Sequence, residues 1–377
     1  MKSRLAVTAF VAVAVLSAPG CAATYGGEYA RSQGTYVSAR VGSFYDALAP
    51  YGTWVDAGPY GWAWCPLDVP LGWRPYTVGY WAYSDWGWTW MAEDPWGWIP
   101  YHYGRWAFDA RYGWIWVPGD VWAPAWVAWR FGEGWTGWAA LPPDVGWSAA
   151  AGISFTSYDL DRSIDRFSWC FVRNRDFGRP RRLAGIAPAS RNVTLLRETR
   201  EVTRYVSSQG IPVERGLRPE LIERTTGRSV PRYRVEESRT PLRGGGAVIQ
   251  GKTIRVYRPD GRLAQELRDR LRQAPPPERR VAPRRLLDRQ ESERQRLDKV
   301  LSSGRRQLEQ EHKRELKNPP RGMSRADLRS RQEAERRAQA ELEQRQRHVM
   351  ESREQRFREG SGGRDEGRGR GRGRRAS

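Results

Sequence analysis

Three stretches of this chain, "GTWVDAGPYGWAWCPLD", "GYWAYSDWGWTWMAED" and "GRWAFDARYGWIWVPGD", align with one another. Trp62, Trp88 and Trp114 recur at intervals of 26 residues, as do Trp64, Trp90 and Trp116, and Asp68, Asp94 and Asp120. A fourth, weaker copy reads "VAWRFGEGWTGWAALPP". Self-similarity at a fixed period means that one supersecondary unit is built several times. Within each unit the tryptophans stand two apart, the spacing that puts side chains on one face of a strand. Asp56, Asp85 and Asp109 follow the first strand of each copy and suit turns, and Pro75, Pro100 and Pro124 break the links between copies. Each unit therefore reads as strand, turn, strand and a proline-broken connection.

Of the 20 tryptophans, 19 fall between Trp54 and Trp147. The predicted fold class is mainly β: an antiparallel Trp-rich hairpin meander or barrel, a smaller mixed β region, and a charged helical or disordered C-terminal arm. Cross-strand aromatic pairs stabilise such hairpins by roughly 0.2–1 kcal/mol each. The glycines beside the tryptophans let rings and strands approach closely. The domain order expected is a lipoprotein-type signal peptide at 1–21, a linker at 22–47, the hairpin-repeat domain at 48–147, a smaller β-rich region at 148–260, an Arg/Glu/Gln-rich helical arm at 261–359 and a disordered RG-rich tail at 360–377.

The start of the chain, "MKSRLAVTAFVAVAVLSAPGC", places Lys2 and Arg4 before a mostly apolar run from Leu5 to Leu16. That run is too short to span a bilayer, which takes roughly 20 residues, and suits the core of an export signal. Small residues then lead to Cys21, the candidate lipidation site, as in a bacterial lipoprotein; cleavage and secretion is the alternative. Ala22 lacks the acidic character that retains such proteins at the inner membrane, so the expected location is the outer membrane. Cys65 and Cys170 remain, an even pair for an oxidising compartment, either bridged or as two buried thiols.

The charge is asymmetric. Residues 1–150 hold 8 Lys/Arg and 11 Asp/Glu, whereas the whole chain carries +21. The basic remainder points to an anionic partner. In the arm, Leu301, Leu308 and Leu316 keep no strict heptad and the positions between them, Arg305 and His312, are polar, so solvated helices or disorder are expected rather than a coiled coil.

"YHYGRW" (101–106) and "PYGTW" (50–54) resemble the YxWGxW-type motif of an uncharacterised family of bacterial exported Trp/Gly-repeat proteins, with Tyr103 in place of the motif tryptophan. The likeness runs over about residues 48–260. It implies export and architecture, and brings no catalytic residues.

No GxSxG, HExxH or phosphate-cradling loop is present. His102 reads as a surface residue of the repeat, and Asp68, Asp94 and Asp120 as turn caps rather than calcium ligands. No enzyme activity, metal or cofactor is expected. Sugar rings stack on flat aromatic surfaces, and Trp62, Trp88, Trp114, Tyr101 and Tyr103 are the candidates for an exposed aromatic platform. The expected function is a non-catalytic envelope lipoprotein held to the bilayer through acylated Cys21. It would contact anionic cell-wall or surface polysaccharide through aromatic and basic surfaces, with nucleic acid an unlikely partner for an exported chain. The alternative is a scaffold for envelope protein assembly, working through the aromatic sheet and the helical arm.

Overall fold

The computed structural model describes residues 44–259, apart from 68, 71, 133, 151, 156–159, 180–184, 209 and 243–245. Beyond these it describes 262, 266, 269 and 283–362 apart from 321. Cys21, the signal segment, Asp68 and the RG-rich tail beyond residue 362 lie outside the described residues. A one-turn helix α1 (Phe44–Leu48) precedes four hairpins: β1 (Gly52–Asp56) with β2 (Trp62–Pro66), β3 (Gly79–Ser84) with β4 (Gly87–Ala92), β5 (Arg105–Asp109) with β6 (Gly113–Val117), and β7 (Val127–Gly132) with β8 (Trp135–Ala140). Every hairpin sets one tryptophan opposite another: Trp54 faces Trp64, Trp81 faces Trp90, Trp106 faces Trp116 and Trp129 faces Trp138.

The mainly β class and the repeated hairpin hold. The hairpins do not follow one another in a single meander, however, but are dealt to three sheets. The first and third make a four-stranded sheet in the order β1-β2-β6-β5, joined where Trp64 pairs with Trp116. The other two recruit strands from later in the chain. β7 and β8 are flanked by β12 (Thr199–Glu201) and β11 (Cys170–Arg173). β3 and β4 extend through β15 (Arg232–Ser238) to β17 (Thr253–Tyr257) and β16 (Ala247–Gln250), and β15 runs parallel to both its neighbours. Two further antiparallel pairs are β9 (Val145–Ser148) with β10 (Gly152–Phe155), and β13 (Tyr205–Ser208) with β14 (Ile211–Glu214). Strands β11, β12 and β15–β17, all beyond residue 148, thus complete two of the hairpin sheets.

The core lies where these sheets face each other. Trp81 packs on Trp90 (4.9 Å between ring centres), Trp129 (4.6 Å), Trp138 (6.0 Å) and Tyr76 (5.8 Å). The three indole contacts are edge-on, at 60–76°, as the aromatic quadrupole favours. The tryptophans therefore interlock rather than pile face to face. Buried indole N–H groups staple the irregular links to this core: Trp64 donates to Leu48 O, Trp106 to Pro100 O, Trp116 to Tyr103 O and Trp138 to Tyr76 O. The bonds to Pro100, Tyr103 and Tyr76 each satisfy a carbonyl in an irregular link, and the Leu48 carbonyl, which also takes Tyr51 N, gains a second donor. Gly137 shows what the glycines do, since a Cβ there would lie 2.3 Å from Phe171 Cε1.

Asp56 and Asp109 cap their turns, accepting from Gly58 N and from Arg111 N and Tyr112 N. Asp85 instead accepts from Val235 N and ties its turn to β15. Cys65 and Cys170 are both buried thiols, so the bridge between them does not form. They sit on β2 and β11, strands of different sheets, which explains why an even count did not become a pair.

Three short helices, α2 (Leu160–Ser163), α3 (Asn192–Glu198) and α4 (Pro219–Thr226), decorate the sheets. The arm is two long helices, α5 (Pro283–Lys317) of 35 residues and α6 (Arg325–Gly362) of 38 residues. They are antiparallel, because Arg294 pairs with Glu354, Arg305 with Glu343, and His312 with Glu335. The arm also docks on the β body, which its solvated reading did not anticipate. Among the described residues no helix is long and apolar enough to cross a membrane.

Candidate functional site: the docked arm and the Trp122 cleft

The sequence names an exposed row of Trp62, Trp88, Trp114, Tyr101 and Tyr103, and the structure does not build it. Trp88 is 1% exposed, Trp114 9%, Tyr101 0% and Tyr103 3%; Trp62 alone is half-buried. The reason is packing. Trp88 meets Phe177 at 4.7 Å and donates to Leu217 O, both from the later part of the chain that covers this face. Tyr101 is enclosed by Trp96, Trp90 and Tyr76 and donates to Asp94 Oδ2 at 2.8 Å. Asp94 is itself buried, so its carboxylate serves this hydroxyl in the core.

His102 is also not on the surface. It is 3% exposed, its Nδ1 lies 2.9 Å from Ala123 O, and its ring stacks on Trp122 at 5.4 Å and 11°. Burial pushes its pKa down to about 4, so the imidazole is neutral at pH 7 and acts as a flat support.

Two polar regions emerge instead. The first is the clasp between arm and body. Arg191, just ahead of α3 and 5% exposed at its side chain, reaches Glu311 at 2.7 Å and Glu315 at 3.0 Å on α5, and Glu335 at 3.7 Å on α6. Glu335 is fully buried and accepts from Thr194 Oγ1 at 2.7 Å and from the His312 ring at 2.7 Å. Arg331 adds contacts to Glu315 and to Glu198 of α3. Burial works against the Glu335 carboxylate, but His312, Arg191, Thr194 and Arg331 outweigh it and hold its pKa below the ordinary glutamate value. Further along, Arg166 pairs with Glu341, Arg345 pairs with Asp165 and lies 3.8 Å over the Phe108 ring, and Arg353 donates to Tyr112 O.

These contacts sort the arm's charges. Glu311, Glu315, Glu335 and Glu341 turn toward the body, and Glu343 and Glu354 are taken by Arg305 and Arg294 within the hairpin. Lys313, Arg314, Lys317, Arg325, Arg329 and Arg336 are exposed. Around the bend between the helices the outer surface is therefore rich in cations, with Leu316 half-exposed among them.

The second region is a cleft of about 200 Å³ lined by Tyr103, Asp120, Trp122, Glu237, Arg239, Arg258 and Pro259. It joins the link before β5 and the link after β6 to the ends of β15 and β17. Arg258 donates to Glu237 Oε1 at 2.6 Å, with its guanidinium 5.6 Å from the Trp122 ring centre. Arg239 lies 3.5 Å from the same carboxylate and is largely exposed. Trp86 meets the Trp122 ring edge-on at 5.3 Å. Burial pushes the Tyr103 hydroxyl well above its ordinary pKa and keeps it protonated. Two residues singled out in the sequence, Tyr103 and Asp120, thus meet here for a reason the repeat does not express. Their partners Glu237, Arg239 and Arg258 sit in a strand region with no periodic signal. Among the described residues, no group of three or more His, Cys, Asp and Glu is placed to hold a metal ion.

Residues 45–145 match a family of unknown function, DUF6600. The match spans all four Trp–Trp pairs and ends before the strands that complete their sheets. No curated protein and no solved structure matches the chain. Tyr103, Asp120 and Trp122 lie inside the family region, whereas Glu237, Arg239, Arg258 and the arm lie outside it.

Proposed function

We propose that the protein is a non-catalytic lipoprotein of the bacterial cell envelope that holds an anionic wall or surface polysaccharide through its docked helical arm. One observation carries this reading: the arm turns Glu311, Glu315, Glu335 and Glu341 to Arg191 and Arg166, and leaves Lys313, Arg314, Lys317, Arg325, Arg329 and Arg336 exposed, so that around the bend these cations outnumber the exposed acids Glu309, Asp327 and Glu333. A rigid helix pair that presents cations this way suits a polyanion, because several weak exposed contacts act together on one chain. The export signal ahead of Cys21 and the resemblance to exported Trp-repeat proteins supply the compartment. There, peptidoglycan carboxylates and acidic polysaccharides replace nucleic acid as the available polyanions. The Trp hairpins are in this reading the rigid block on which the arm is mounted, not the contact surface.

The test is sedimentation of the full chain with insoluble peptidoglycan or an acidic polysaccharide gel at low and high salt. Binding should be strong at low salt, fall steeply with added salt, and be lost when Lys313, Arg314, Lys317, Arg325 and Arg329 are changed together to glutamine. Failure to sediment at low salt, or sedimentation untouched by the glutamine changes, overturns the reading. Co-purification with one defined envelope protein at high salt would favour an assembly scaffold instead.

A further inference from the structure

We propose that the cleft between Trp122 and Arg239 is a binding site for a single pyranose unit of a glycan. At about 200 Å³ the cavity is smaller than the ~300–1,000 Å³ typical of drug-sized ligands and is suited to one sugar ring.

Its chemistry is balanced. Asp120 and Glu237 bring acceptors, Arg239 and Arg258 bring donors, and the protonated Tyr103 hydroxyl serves as either. Two carboxylates discourage a simple anion and two guanidiniums discourage a cation. A charged rim of this kind also disfavours an apolar guest. Ligand hydroxyls suit it, since each donates one hydrogen bond and accepts others.

The site is pre-shaped rather than assembled on demand. Trp122 is fixed from below by the neutral His102 ring and from the side by Trp86, while Arg258 is pinned by Glu237. Trp122 Nε1 is buried and has no hydrogen-bond partner among the described residues. The largely exposed Arg239 side chain is held at the mouth by Glu237 at 3.5 Å and by Arg258 O at 3.4 Å. Preorganisation of this kind lowers the ordering cost of binding.

The site is independent of the arm's charge, so its failure and the failure of the polymer reading are separable. The experiment uses the full chain with methyl β-glucopyranoside, glucuronate and acetate as probes, followed by saturation-transfer NMR and calorimetry. One or both sugars should bind and acetate should not. Arg239→Ala and Asp120→Asn should each weaken sugar binding by about ten-fold or more, the range expected for losing a charge-assisted hydrogen bond, with an unchanged melting temperature. The arm variant with Lys313, Arg314 and Lys317 changed to glutamine should bind sugar normally while losing salt-sensitive polymer sedimentation. The proposal is overturned if neither sugar binds, if acetate binds as well as glucuronate, or if both cleft variants bind sugar like the parent.

Discussion

Arg191 of the β body and Glu335 of α6 lie 3.7 Å apart across the arm–body seam, the glutamate fully buried and the arginine nearly so. Glu335 also takes the His312 ring and Thr194, and Arg191 also takes Glu311 and Glu315, so both helices and α3 meet at this pair. A buried ion pair of this kind adds little net stability over an apolar contact, but removing one partner strands the others.

Arg191→Leu should therefore release the arm. Glu311 would lose its cation and Glu315 and Glu335 one of two, and docking should weaken by about 3–5 kcal/mol. Hydrogen exchange would show α5 and α6 losing protection while β3, β4, β7 and β8 keep theirs. Unchanged protection of the helices would mean that the other arm–body contacts, Arg166–Glu341, Arg345–Asp165 and Arg353–Tyr112 O, hold the arm without the clasp.

Stability should also respond to pH through Glu214. Burial pushes this carboxyl up to about 7, even though it accepts from Arg204 N, Gly216 N and Leu217 N. From about pH 4.3, the ordinary glutamate value, to about 7, the folded chain keeps a proton that the unfolded chain has lost, so this group's contribution falls as pH rises. His102 has the opposite sign. Its pKa is lowered to about 4, so its contribution falls as pH drops below about 6.5. In urea unfolding, Glu214→Gln should gain on the parent between about pH 5 and about pH 8. A constant difference across that range would exclude a raised Glu214 pKa.

The Trp–Trp hairpins should be unequal to mutation according to burial. Trp81 contacts Trp90, Trp129, Trp138 and Tyr76 and is 0% exposed, so Trp81→Ala should cost about 3–5 kcal/mol in the denaturant midpoint. Trp62 is half-buried at the mouth of its turn, and Trp62→Ala should cost about 1 kcal/mol or less. Equal losses would mean that the two rings are equally packed in solution.

Cys65 and Cys170 should both alkylate in denaturant without any reductant, adding two labels in a Cys21→Ser background, and reductant should leave the melting temperature unchanged. Protection of both thiols until reduction would show a disulfide. Replacement of Cys21 by serine should abolish incorporation of labelled fatty acid; labelling that survives it would place the lipid elsewhere or exclude it.

Much of the architecture was legible before any coordinates. The 26-residue period and the two-residue tryptophan spacing specify hairpins, because strand geometry and turn chemistry are local. Asp56 and Asp109 cap their turns for the same reason. The partners of each hairpin were not legible. Arg232 pairs with Tyr83 across about 150 residues, and nothing local in either stretch encodes that choice. Later segments likewise cover Trp88 with Phe177 and Leu217 and gather Glu237 and Arg258 against Trp122, so both the failed platform and the cleft follow from long-range packing. In the arm, the buried positions Leu297, Leu301, Leu308 and His312 keep a helical spacing, visible once histidine counts as a seam residue. Gln332 and Glu335 complete that seam, and their polarity hid it.

Local covalent pattern thus determined the hairpins, their turns and the helical character of the arm. Only the tertiary structure decided which indoles were covered, which thiols stayed apart and which charges were neutralised. Burial and ion pairing depend on what distant segments bring to a surface, and a side chain's type does not carry that information.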